Sequence, residues 1–242
     1  MKDILDFLTE LRQHNNRDWF NERKDRFYEL RATFLNRVDE LIRLISVFDE
    51  EISGLEAKDC VYRIYRDTRF SPDKTPYKTF FSAYIASKGG KKSLRAGYYL
   101  HLEPGNCLLG GGVWCPESKL LKELREAVYE HCDEFIEITE NPEFKKVYPA
   151  FDGEMLKTIP RPFPKDFKYP ELLMRKDYVV MGKKQDRFFE DNNWIQETAA
   201  DFKVLQPLNR FLNYTVDEVY DYGSIYKNKK WRIANNRYAI FY

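Results

Sequence analysis

Residues 96–115 read Ala-Gly-Tyr-Tyr-Leu-His-Leu-Glu-Pro-Gly-Asn-Cys-Leu-Leu-Gly-Gly-Gly-Val-Trp-Cys. Apolar and polar residues alternate on both sides of Pro104-Gly105, a pair that punctuates hairpins. Strand side chains alternate between two faces. A hairpin centred on Pro104-Gly105 therefore puts Tyr98, Leu100, Leu102, Cys107, Leu109 and Val113 on one side. Tyr99, His101, Glu103, Leu108, Gly110, Gly112 and Trp114 fall on the other. The first side is apolar and predicts core. The second is bare at Gly110 and Gly112, and two readings fit it. The glycines are either the floor of a pocket walled by Tyr99 and Trp114, or a bulge that curves the sheet.

Working outward, the period stays near two from residue 60. It predicts strands over 61–67, 79–87, 96–103 and 106–115, with a further short strand at 177–181. Helical spacing frames this region. Ile4, Leu8 and Leu11 predict a helix over 3–13. Phe20, Phe27, Leu30, Phe34, Val38, Leu41 and Ile45 form one stripe and predict a helix over 17–46. Leu120, Leu121, Leu124, Val128, Cys132 and Phe135 predict another. Asn141-Pro142 reads as a cap followed by proline at the first helical position. A long helix is expected from about Asn193, kinked at Pro207. The prolines of 159–170 make that segment extended. The fold class is α+β: a mainly antiparallel sheet covered by helices on one face. Residues 1–222 form a single domain, followed by a tail at 223–242.

The chain has 242 residues, 43% hydrophobic and 33% charged, with a net charge of +1. That balance excludes a disordered chain and a global field for nucleic acid or membrane. Any basic function is local. No stretch has the length of a membrane span, and the acidic N-terminus is not a signal peptide. The four cysteines lack C-x-x-C spacing, so reduced thiols in a cytoplasm are expected. No nucleotide-loop, zinc-protease or serine-elbow motif occurs. Neither a metal nor any other cofactor is expected. The tail carries Lys227, Lys229, Lys230, Arg232 and Arg237 among aromatics and no acidic residue. Such a pattern can suit single-stranded nucleic acid, but it reads first as an added strand or a loose end.

The charge concentrates at 61–78, Val-Tyr-Arg-Ile-Tyr-Arg-Asp-Thr-Arg-Phe-Ser-Pro-Asp-Lys-Thr-Pro-Tyr-Lys. Read as a strand, its first half sets Tyr62, Ile64, Arg66, Thr68 and Phe70 on the core side. Arg66 then needs a carboxylate or an anionic ligand, because guanidinium keeps its proton. Arg63, Tyr65, Asp67 and Arg69 face outward. Ser71-Pro72-Asp73-Lys74 is turn chemistry. Arg63, Arg66, Arg69 and Lys74 are expected to clamp an anionic small molecule bearing phosphate or carboxylate. Asp67 would orient the arginines, while Tyr77 and His101 are the proton-transfer candidates. Two alternatives stand beside this: a non-catalytic interaction module, with nucleic acid as a possible partner, and a purely structural ion-pair lattice. No membrane partner is expected.

The motif Arg63-x-x-Arg66-Asp67-x-Arg69-Phe70, followed by Asp73-Lys74-x-x-Tyr77, resembles the signature of a bacterial family also found within fungal proteins, the domain of unknown function 2461 family. His14-Asn15-Asn16-Arg17-Asp18-Trp19-Phe20 resembles that family's N-terminal hallmark, and Gly110-Gly111-Gly112-Val113-Trp114 another of its features. The resemblance covers roughly residues 4–213. It implies a bacterial cytoplasmic protein and transfers no catalytic role.

Overall fold

The computed structural model describes residues 1–221. The reading of a basic tail at 223–242 lies outside them.

Three helices open the chain: α1 (Lys2–Gln13), α2 (Arg17–Glu22) and α3 (Lys24–Ile45). The helix expected over 17–46 is divided at Arg23, whose backbone leaves helical geometry at φ −114°, ψ 16°. The Arg23 guanidinium lies over the Trp19 ring at 4.5 Å. The division leaves the apolar stripe intact: Phe20, Phe27, Leu30, Phe34, Val38, Leu41 and Ile45 are all buried. Asn16 caps α2 by accepting the Trp19 amide at 3.0 Å. A short α4 (Ala57–Cys60) precedes the charged stretch.

Among the described residues the sheet has four antiparallel strands in sequence order: β1 (Phe81–Ile85), β2 (Gly97–Leu102), β3 (Cys107–Val113) and β4 (Tyr178–Lys184). In β2 and β3 the register pairs Leu100 with Leu109 and Tyr99 with Gly110, as the centred hairpin requires. Tyr98, Leu100, Leu102, Cys107, Leu109 and Val113 are buried.

Helices cover this face. Between β3 and β4 run α5 (Ser118–Glu130), α6 (Cys132–Thr139), α7 (Pro142–Val147) and α8 (Pro170–Met174). After β4 comes α9 (Trp194–Tyr220). Asn141 caps α7 by accepting the Glu143 and Phe144 amides. Pro207 lies inside α9 without ending it. Phe27 and Phe34 meet Phe81 at 5.9 and 5.5 Å, and Phe202 meets Tyr98 at 5.3 Å. One apolar core thus runs from α1 to α9.

The stretch 61–67 is not a strand. Among the described residues it touches the sheet through a single bridge, Val61 with Ala83, and the Tyr62 amide donates to Ser82 at 3.0 Å. It turns away to pair with its own continuation, the Arg66 amide donating to Pro76 and the Lys78 amide to Ile64. The expected alternation of burial nevertheless holds as far as Arg69: Tyr62, Ile64, Arg66 and Thr68 are buried or partly buried, and Arg63, Tyr65, Asp67 and Arg69 are exposed. It ends at Phe70, assigned to the core side and 94% exposed.

The glycines of β3 also resolve. A Cβ at Gly110 would run into the Val180 carbonyl and the Met181 sulfur, one at Gly112 into the Tyr178 carbonyl, and one at Gly111 into the Gly97 carbonyl. Neighbouring strands fill the space where side chains would stand. The glycines serve close strand approach and are no pocket floor.

Candidate functional site

The loop between Arg66 and Thr75 closes on itself. Arg66 contacts the Asp73 carboxylate and the Thr75 hydroxyl. Its side chain is 27% exposed, so the expected carboxylate is there and comes from the loop itself. The Arg66 fork and the amide and hydroxyl of Thr75 draw the Asp73 carboxyl down to about 2. Asp67 takes Arg69 in a bidentate pair at 3.0 and 2.7 Å. Lys74 donates to the Thr68 carbonyl at 2.9 Å. Each of these three side chains thus commits at least one donor within the loop, apart from a groove that Arg63 lines. Arg63 departs in another direction.

The base of the loop is locked to the N-terminus. The Asn15 amide donates to the Tyr77 carbonyl at 2.9 Å and accepts the Tyr77 amide at 3.1 Å. Phe20 stacks on the Tyr77 ring at 4.0 Å and 17°. The His14–Phe20 segment and the 63–77 segment are thus one physical unit. Tyr77, expected as a proton carrier, is a buried packing residue there.

Arg63 enters a groove of about 440 Å³ between α3, α4 and residues 61–65. Five cations line it: Arg31, Lys58, Arg63, Lys78 and Lys91. Four aromatic rings join them, Phe27, Tyr28, Tyr62 and Tyr65, and no carboxylate lies on the wall. Lys58 pairs with Glu56 at the rim, and Lys91 donates to the Lys58 carbonyl at 2.8 Å. Lys78 is partly buried over the rings of Tyr62 and Phe80, at 5.3 and 5.6 Å. Burial and the neighbouring Arg63 push its ammonium below the ordinary lysine range. Among the described residues neither Arg31, Arg63 nor Lys78 has a carboxylate partner. The sequence offers Arg63 as a clamp residue and places Lys78 in the same basic stretch. Arg31, Lys58 and Lys91 lie on separate elements and look like solvated surface charge.

On the other face of β2, Tyr99, His101 and Glu103 form a chain. The Tyr99 oxygen lies 2.8 Å from His101 Nδ1, and Nε2 lies 3.3 Å from Glu103. Glu103 also accepts from Asn106 at 2.7 Å and Thr79 at 3.2 Å. Burial tends to raise its carboxyl, but the donors Asn106, His101 and Thr79 outweigh this and hold it below the ordinary range. An ionised Glu103 fixes the proton on Nε2, so Nδ1 accepts the Tyr99 hydroxyl. Burial lowers His101 and raises Tyr99 to about 12. Phe80 covers the imidazole at 4.4 Å. His101 adjoins Lys78 through Phe80, and neither His101 nor Tyr99 lines the groove. Trp114 is 64% exposed at the far end of β3.

The family model described as conserved hypothetical protein DUF2461 matches residues 3–211. The chain belongs to the DUF2461 family. The match spans both motif segments, the sheet and most of α9. No curated protein and no solved structure matches the chain. Among the described residues, no helix is long and apolar enough to cross a membrane. No group of three His, Cys, Asp or Glu side chains there is arranged to hold a metal ion. Cys107 is buried and Cys115 exposed.

Proposed function

We propose that this DUF2461 protein binds a small molecule carrying phosphate or carboxylate in the groove between α3 and residues 61–65. One observation carries the reading: Lys78 and Arg63 stand side by side, Lys78 partly buried, on a wall that holds five cations and no carboxylate. Holding the Lys78 ammonium partly out of water beside Arg63, with no carboxylate partner among the described residues, is costly, and an anionic ligand reduces that cost. The four cysteines, free of disulfides, support a cytoplasmic setting.

The test is thermal stabilisation by inorganic phosphate, pyrophosphate and citrate. A ligand at a hundred times its Kd stabilises the folded state by about 2.7 kcal/mol. Arg63→Ala is expected to abolish most of the shift while leaving the unliganded melting point nearly unchanged, because Arg63 is exposed. Arg69→Ala is expected to leave the shift intact. Stabilisation that survives Arg63→Ala, or that no anion produces, overturns the reading.

A further inference from the structure

Within that anion-binding reading, on which this inference rests, we infer that the ligand is a nucleotide: a flat base lying against the tyrosines of the groove, with its phosphates on Arg31, Arg63 and Lys78. The groove joins two chemistries. Tyr28 and Tyr65 are 50% and 44% exposed, large aromatic surfaces left open to solvent beside the cations. Tyrosine π-faces accept any base by stacking, and arginine adds to such contacts.

The size agrees. Liquid water takes about 30 Å³ per molecule, so an inorganic phosphate leaves most of a 440 Å³ groove unfilled. Small-molecule sites run from about 300 to 1,000 Å³. The lining also favours a ligand with a flat base over a bare sugar phosphate or a polyol. Its walls offer tyrosine rings on which a base stacks, a contact that a ligand without a base cannot make.

Two further properties follow from the same residues. Stacking area favours a purine over a pyrimidine. With no carboxylate on the wall to hold a divalent cation, magnesium has no place there. Magnesium bound to the phosphates instead neutralises the charge that the groove recognises, so it weakens binding.

Titration calorimetry of the full chain with adenosine diphosphate, pyrophosphate and ribose 5-phosphate, each in EDTA, tests the inference. Adenosine diphosphate is expected to bind about tenfold or more tighter than pyrophosphate or ribose 5-phosphate, the gain expected of one stacked base. Tyr28→Ala and Tyr65→Ala, both at exposed positions, are expected to reduce that gain and leave pyrophosphate affinity unchanged. Adding magnesium is expected to reduce adenosine diphosphate affinity. Equal affinities for the three ligands, or a gain that survives both tyrosine variants, overturn the nucleotide and leave anion binding standing. A single-stranded oligonucleotide that binds tighter than adenosine diphosphate overturns the free nucleotide in favour of nucleic acid. Failure of all the ligands to bind overturns the underlying reading as well.

Discussion

Arg95 is 2% exposed. It sits between β1 and β2, donates to Asp217 at 2.9 and 3.1 Å, and pairs with Glu51. Burial pushes the Asp217 carboxyl up, and Arg95 holds it back. Arg95→Leu removes the chief partner of the largely buried Asp217, which keeps Lys88 at 3.9 Å, while the half-exposed Glu51 returns to solvent; a cost of about 1–3 kcal/mol in urea unfolding at pH 7 is expected. A loss under about 1 kcal/mol would mean the pair contributes nothing net. Sequence reading found Arg66 and its need for a carboxylate, because that arginine lies among apolar neighbours beside turn chemistry. It passed over Arg95, whose partners are 44 and 122 residues away and set by tertiary contact. His101 is the other residue whose setting matters. Its folded pKa lies below the ordinary value of about 6.5. The unfolded chain therefore binds the proton first as pH falls. The stability His101 contributes is complete above about pH 6.5 and is lost as pH drops through the lowered folded value. NMR titration of the ring should place its midpoint below that of a solvated histidine. His101→Gln should flatten the acid side of the stability profile, and an unchanged profile would refute the assignment.

Among the elements, the hairpin and the helical stripes were legible because their periodicity is long and uninterrupted. The segment 61–67 was not. Its composition is that of a strand, yet after Tyr62 its backbone turns from the sheet and bonds to residues 76–78. β-Propensity describes fit to a pleated surface, and here tertiary contact overrode it. The same limit applied to the groove, whose cations come from four separate segments. The glycines were visible as glycines, but not what excludes their side chains. Gly111→Ala would drive a methyl into the Gly97 carbonyl and to 2.6 Å from Leu205. A cost above about 3 kcal/mol is expected, since backbone cannot yield as a side-chain tip does. Gly105→Ala, at φ +78° in open space, should cost only about 1–2 kcal/mol for the left-handed backbone. Equal losses in the two variants would show that conformation, not space, governs both.

For the whole molecule, the buried apolar residues form one cluster that draws on α1, α3, the sheet, α5 and α9. A single cooperative transition is expected, with matching calorimetric and van't Hoff enthalpies. Two resolved transitions would divide the domain. A net charge of +1 gives little long-range steering, so ligand capture in the groove should depend on its local cations and weaken with salt.

The polar row on α9 carries a consequence for how the chain is made. Asn213 accepts the Ala96 amide at 2.7 Å and donates to the Ala96 carbonyl at 3.0 Å, and Asn209 donates to Gly97 at 3.0 Å. These buried groups lie where β2 begins, 117 residues before Asn213 in the chain. A ribosome adds about 5–20 residues per second, so the start of β2 waits about 6–25 s for the side chains that satisfy it. Throughout that interval the apolar face of the emerging hairpin lacks α9 as well. The nascent protein must therefore pass through a stage that favours chaperone capture, and its native state is sealed only when α9 leaves the exit tunnel.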